Sequence, residues 1–396
     1  MDANARSRDV TVDIAKGIGI LLVYAGHAIE FAPGFAARST FATIYAFHMP
    51  LFFLLSGYVL APAMEAPRLW AATGTQLWRR FLCPYLAFGT LFLVTAVLRV
   101  GGLQSFVHPA APGILAKAFL GLLAGNPHPG IVIWFLYASA AVRLLLVALG
   151  PLVRHAGLTA TAAVVTVGWS YAGLRWPDAA RFHPTDYLRP SALAGFLAFT
   201  LLGAALRTPL DAWRRQVTVS RRRSVVLGLA LALATVLASR MNAPVGSVLT
   251  GTALTENLFA PIFAAGVFGN PLAVLFSGML GTAAVVVTAR AVDASALGRL
   301  LAATGRHSLG IFCLNGFALA FLNGPTATWL AERIGAHLVF VAMLAVAVLQ
   351  WLAAWAIVEL YAHLTRRRAP GSTSARPRAG SASRYSPREI RASGRA

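Results

Sequence analysis

The chain has 396 residues, of which 58% are hydrophobic and only 12% charged, and its mean hydropathy is +0.68. That excludes an ordinary soluble domain, in which about a quarter of residues are charged. The net charge of +21 does not signal nucleic-acid binding, because the arginines sit in short loops and in a tail, without an aromatic-interleaved basic fold.

The apolar stretches are about 17 to 25 residues long, the length an α-helix needs to cross a hydrocarbon core of about 30 Å. Ten-residue alternation of the barrel type is absent, so the expected fold is all-α, a polytopic membrane helical bundle. Spans are expected at 12–31, 41–61, 81–99, 131–149, 158–173, 187–206, 224–240, 271–290, 307–323 and 337–362. The basic patch ahead of the first span precedes a stretch too long for a signal peptide, which marks a retained helix.

The first span holds DIAKGIGILLVYAGH, residues 13–27. On a helix, Asp13 and Lys16 share a face, and His27, eleven residues past Lys16, falls about 20° from the same line. Ionisable residues in a span face protein or a wet cavity. Lys16 is one of only two lysines in the chain. Asp13 and Lys16 also fit an ion pair at headgroup level, whereas His27, about 20 Å from Asp13, is too deep for that. The second span holds FHMPLFFLLSGY, residues 47–58. His48 lies about 10 Å into it and His27 about 6 Å from the end of the first span, so the two imidazoles are expected to share a level near the outer leaflet. Pro50 frees a backbone carbonyl beside His48, and Ser56 with Gly57 marks a close helix contact.

Arg79 and Arg80 precede the third span and suit either ordinary anchoring at a cytoplasmic face or phosphate binding there. Arg143 lies about 18 Å into the fourth span, too deep to snorkel unless the inner boundary is near. Trp134, Tyr85 and Tyr137 read as interfacial aromatics or substrate-stacking groups. The segment 245–268 carries Glu256, Asn257 and Pro261 and is ambiguous. If it does not cross, the Arg-rich loops and both termini all face the cytoplasm, which favours ten spans with this segment re-entrant or on the outer surface. Arg306 and His307 then anchor the ninth span at the inner face. Cys83 and Cys313 give neither a disulfide framework nor a metal spacing. Residues 366–396, with nine Arg and one Glu, read as a disordered basic cytoplasmic tail after a membrane domain over 1–365.

These stretches in order, with RRFLCPYL at 79–86, IWFLYAS at 133–139 and GRHSLGIFCLNGF at 305–317, resemble the integral-membrane acyltransferase family 3, and within it the fucose 4-O-acetylase-like group. The resemblance implies an O-acyltransferase of the bacterial inner membrane. It would move an acetyl group from acetyl-CoA, a co-substrate rather than a bound cofactor, to a hydroxyl of a polysaccharide, lipopolysaccharide or lipid-linked sugar. Asn315 stands where the family's late motif usually has histidine. In this reading His27 is the base, for which neutral imidazole is suited, and His48 its partner. Arg79, Arg80, Arg143, Lys16 and Asp13 serve the donor. Ser56, Tyr58, Trp134, Glu256, Asn257 and Asn315 serve the acceptor or support the site. The partners expected are acetyl-CoA, the glycan acceptor and membrane lipids, with no nucleic acid and no metal. The alternative is a sugar or lipid transporter in which Asp13, Lys16 and His27 relay protons, against which the absence of internal repeats counts.

Overall fold

A computed structural model describes residues 9–64, 74–97, 114–123, 125, 131–175, 190–216, 220–241 and 270–367. The ambiguous segment 245–268, with Glu256 and Asn257, and the tail from residue 368 lie outside these. Among the described residues every regular element is helical, so the protein is an all-α polytopic bundle. Eight helices are long and apolar enough to cross a membrane, and a bent pair makes a ninth.

Helix α1 is Val10–Ile29, capped by Asp9, whose side chain accepts from the N–H groups of Thr11 and Val12. Asp13 in its first turn complements the positive end of the helix dipole. Gly34, at φ 96°, supplies the left-handed turn into α2, Phe35–Met64. This helix starts six residues before the expected boundary at 41, and it runs on through Pro50 and Pro62. Pro50 withholds its N–H from the carbonyl of Ala46, and the Ser277 hydroxyl lies 3.5 Å from that oxygen, sharing its proton with Val274 at 3.3 Å.

A π-turn, Trp78–Leu82, leads into α3, Cys83–Val97. Next come α4, Ile114–Leu123, then α5, Trp134–Ala148, and α6, Gly150–Ala156. The last two meet at 50° and form the bent pair. Helix α7, Leu158–Arg175, falls on an expected span but is not among the crossing helices, because Thr159, Thr161, Thr166 and Ser170 thin its apolar character. Helices α8, Pro190–Ala205, α9, Arg207–Gln216, and α10, Arg221–Ser239, follow. After them come α11, Pro271–Val292, and α12, Ala296–Arg306, the latter capped by the Ser295 hydroxyl. Helix α13, Ser308–Phe317, passes through a second π-turn, Ala318–Asn323, into α14, Gly324–Ile334. The ninth expected span, 307–323, therefore continues eleven residues further, through Pro325. Helix α15, Ala336–Arg367, ends the described chain. Residues to Val358 form one compact unit and those from Glu359 a second.

Both π-turns end two residues before a proline, Pro84 and Pro325. A proline inside a helix leaves the carbonyl four residues back without its N–H. Widening the preceding turn to i→i+5 bonding lets the chain pass it without a break.

Backbone contacts fix the bundle's centre. A Cβ at Gly17 would strike the carbonyl of Leu301, and one at Gly305 would strike that of Asp13. Helices α1 and α12 therefore meet backbone to backbone. Gly57 against Thr200 and Gly203 against Leu54 join α2 to α8 in the same way. Without a hydrophobic drive between helices in lipid, such close approach is what dispersion and backbone contact require. The lipid side shows the opposite composition. Val226, Leu229, Leu233 and Leu237 form an exposed stripe on α10, spaced at helical period.

Candidate active site

The bundle has one basic end. Val12 on α1, Tyr58 on α2, Leu206 and Leu210 beside and on α9, and Arg290 on α11 line a mostly apolar cavity of about 350 Å³ there. Arg221 donates to the carbonyl of Ala291 at the same end of α11. Arg207 donates to the Tyr58 carbonyl at 2.9 Å and lies over the Tyr58 ring at 5.0 Å. The Tyr58 hydroxyl donates to Asp211 at 2.5 Å, and Arg207 sits 3.5 Å from the other oxygen of Asp211. Tyr58 thus clamps the surface helix α9 to the foot of α2. It stands apart from the two histidines.

Asp13 is buried and, like Lys16, is engaged within the protein. Both sit in the first two turns of α1, toward the basic end. Arg79 and Arg80 are exposed on the first π-turn. The Arg143 guanidinium lies 5.0 Å over the ring of Phe81 on that turn, and Arg80 is near enough to act on it electrostatically. The fourth-span arginine therefore belongs to the level of the third span's basic end. Arg143 also lines, with Ser56, Ser139 and Thr200, a small cavity of about 10 Å³. Ser56 therefore faces Arg143 rather than the histidines. Trp134 is buried and stacks on Phe196 at 5.4 Å, a core position.

The histidines gather elsewhere. His27 Nδ1 lies 2.5 Å from the Asn315 side-chain oxygen. An amide oxygen only accepts, so Nδ1 carries the hydrogen and Nε2 is left with a lone pair. His48, buried, donates from Nδ1 to the Ile44 carbonyl at 2.9 Å, which likewise leaves its Nε2 as the acceptor. Tyr45 lies between them, its ring 6.3 Å from that of His27 and 4.7 Å from that of His48. One turn below, the Tyr24 hydroxyl donates to the Ile311 carbonyl at 2.9 Å and holds α13 beside α1. Asn315 is fully buried, and its amide nitrogen has no partner among the described residues.

The distance of His48 along its helix differs from the expectation. His48 is thirteen residues beyond the start of α2 at Phe35, about 20 Å of helix rather than about 10 Å. The extra length comes from ARST and its neighbours, which continue the helix outward. The site lies where α1 ends, beside the middle of α2.

Three contributors escaped the sequence reading. Tyr45 sits one turn before His48 and three residues before it in sequence, a spacing that places it on the same face. Asn323 donates to the His27 carbonyl at 2.9 Å, and Gln350 on α15 donates to Asn323 at 2.9 Å. An asparagine and a glutamine within apolar spans were signals of the same kind as His27.

The model of the acyltransferase domain matches residues 9–355 of the chain. The chain is 32% identical over 148 residues to the nodulation protein NolL of Sinorhizobium fredii, covering 36% of this chain and 37% of that one. It is 35% identical over 94 residues to NolL of Mesorhizobium japonicum, covering 22% and 25% respectively. The matched stretch thus spans about a third or less of the curated relatives. No solved structure matches.

Proposed function

We propose, from the premise that the chain belongs to the integral-membrane acyltransferase family 3 whose model it matches over residues 9–355, that it transfers an acetyl group from acetyl-CoA to a sugar hydroxyl. The acceptor is a cell-surface polysaccharide, a lipopolysaccharide or a lipid-linked sugar, and the setting is the bacterial inner membrane. One observation carries the reading: His27 Nδ1 lies 2.5 Å from the Asn315 side-chain oxygen, a contact that suits the tautomer with Nε2 free as a base.

In the reaction Nε2 of His27 takes the proton of the acceptor hydroxyl as its oxygen attacks the thioester carbonyl. The carbon–sulfur bond breaks, the ester forms, and the proton passes from the imidazolium to the departing thiolate of CoA. Asn315 holds the ring through Nδ1, the place a carboxylate occupies in a catalytic triad, but without its charge. His48 presents a second Nε2 acceptor across Tyr45, suited to orient the acceptor's hydroxyl. Arg143 and Arg80, on the side of the first π-turn, supply guanidinium groups for the donor's phosphates, and Arg79 extends that surface. Asp13 and Lys16 lie on α1 between that end and His27, along the route the donor's acyl arm takes.

The test is product analysis. The full chain in lipid nanodiscs, given labelled acetyl-CoA and lipid-linked or soluble glycan, is expected to yield an alkali-labile acetyl ester on the sugar. Transport of an unmodified sugar without ester formation would overturn the reading.

A further inference from the structure

Helix α1 ends two residues past its histidine, and a helix end must find partners for its last carbonyls. The Gly26 oxygen accepts from the N–H of Glu30, and that of Ile29 from the N–H of Ala32. Among the described residues the His27 oxygen has no such backbone donor, since the helix ends before the N–H that would reach it. Its partner is the side-chain amide of Asn323, at 2.9 Å.

Asn323 is in position only because of the second π-turn. Asn315 and Asn323 are eight residues apart, and on a regular helix they would differ by about 80°. A π-turn takes one residue more than an α-turn, which takes back about 100° and leaves the two about 20° apart. One helix face then holds both the ring of His27, through Asn315, and its carbonyl, through Asn323.

The orientation of Asn323 is itself determined. Gln350 donates from its amide nitrogen to the Asn323 oxygen at 2.9 Å. That fixes which end of the buried Asn323 amide is oxygen and turns its nitrogen to His27. We propose that Asn323 and Gln350 are positioning residues for His27: a relay in which the polarity of Gln350 orients Asn323, and Asn323 fixes the last turn of α1 so that the imidazole meets Asn315. The proposal rests on the reading of His27 as the base. It adds that the base is placed from its backbone as well as its ring.

Polarity separates this from packing. Gln350→Glu keeps the shape but accepts where glutamine donates. Asn323 then turns its amide over and sets oxygen against the His27 carbonyl. Gln350→Ala merely removes the donor. The experiment is carbethoxylation of the full chain in nanodiscs by diethylpyrocarbonate at pH 8, with the rates at His27 and His48 read by peptide mass spectrometry. Gln350→Glu is expected to label at His27 at least about threefold faster than both wild type and Gln350→Ala, as Nδ1 leaves Asn315, with His48 unchanged. Asn323→Asp, also an isostere that cannot donate, carries the same expectation if the first variant does not fold. Equal His27 rates in the isosteres and the wild type, or a faster rate in Gln350→Ala than in Gln350→Glu, overturn the proposal. Labelling does not depend on acyl transfer, so this result stands apart from whether His27 proves to be the base.

Discussion

Replacing Asn315 by leucine is the sharpest probe of how the base is held. The side chain is fully buried, and leucine matches its branching and its number of heavy atoms. Two effects oppose each other in stability. The bond from His27 Nδ1, at 2.5 Å, is lost, and a buried donor left unpaired costs about 1–3 kcal/mol. The Asn315 amide nitrogen, which has no partner among the described residues, disappears with the side chain and relieves a penalty of the same kind. The unfolding free energy is therefore expected to change by about 1 kcal/mol or less. Activity has no such compensation. The imidazole is released to rotate and to adopt the tautomer whose Nε2 carries hydrogen, which cannot take a proton. If the full cost of about 1–3 kcal/mol falls on the transition state, kcat drops by about 5- to 150-fold. The KM for acetyl-CoA is expected to stay unchanged, because the arginines proposed for the donor are untouched. Thermal unfolding in detergent and initial rates of thiol release from acetyl-CoA give the two numbers. His27→Ala combined with Asn315→Leu is expected to be no worse than His27→Ala alone, since the two act as a unit. Wild-type kcat in Asn315→Leu, or losses that multiply in the double variant, would refute it.

Other outcomes follow from the same contacts. Arg143→Gln is expected to raise KM for acetyl-CoA about tenfold with kcat little changed, as loss of a charged phosphate contact would; a change confined to kcat would contradict the donor assignment. Gly57→Val places side-chain atoms on the Thr200 carbonyl and should destabilise by about 1–3 kcal/mol or more, read as a lowered unfolding midpoint. Ser277→Ala leaves the Ala46 carbonyl, freed by Pro50, without its hydroxyl, and should cost about 1 kcal/mol in the same measurement with His27 chemistry intact.

The spans were legible because length and apolarity in lipid leave the chain one option, and each expected segment falls on a helix. His27 is legible as an ionisable residue deep in a span, whereas Asn315 is legible only through the resemblance to the family's late motif. What escaped depends on backbone register. Pro325 reads as a stop, yet the chain answers the missing N–H with a π-turn, continues to Ile334, and so swings Asn323 to the face of Asn315. Nothing in the local sequence states that choice. The length of α2 ahead of His48 is hidden for a related reason: the polar residues Arg38, Ser39 and Thr40 look like a loop, but after Gly34 they form the first turns of α2. Tyr58, expected among the acceptor or support residues, lies instead at the basic end, as its bond to Asp211, more than 150 residues away in sequence, shows.

The role proposed for His27 is tested most directly by the rate of acetyl transfer by His27→Ala in nanodiscs, measured with labelled acetyl-CoA against a glycan acceptor. A general base contributes about 10²–10⁴-fold, so kcat is predicted to fall at least about 100-fold while the protein stays folded. Transfer at the wild-type rate would contradict the assignment of His27 as the base.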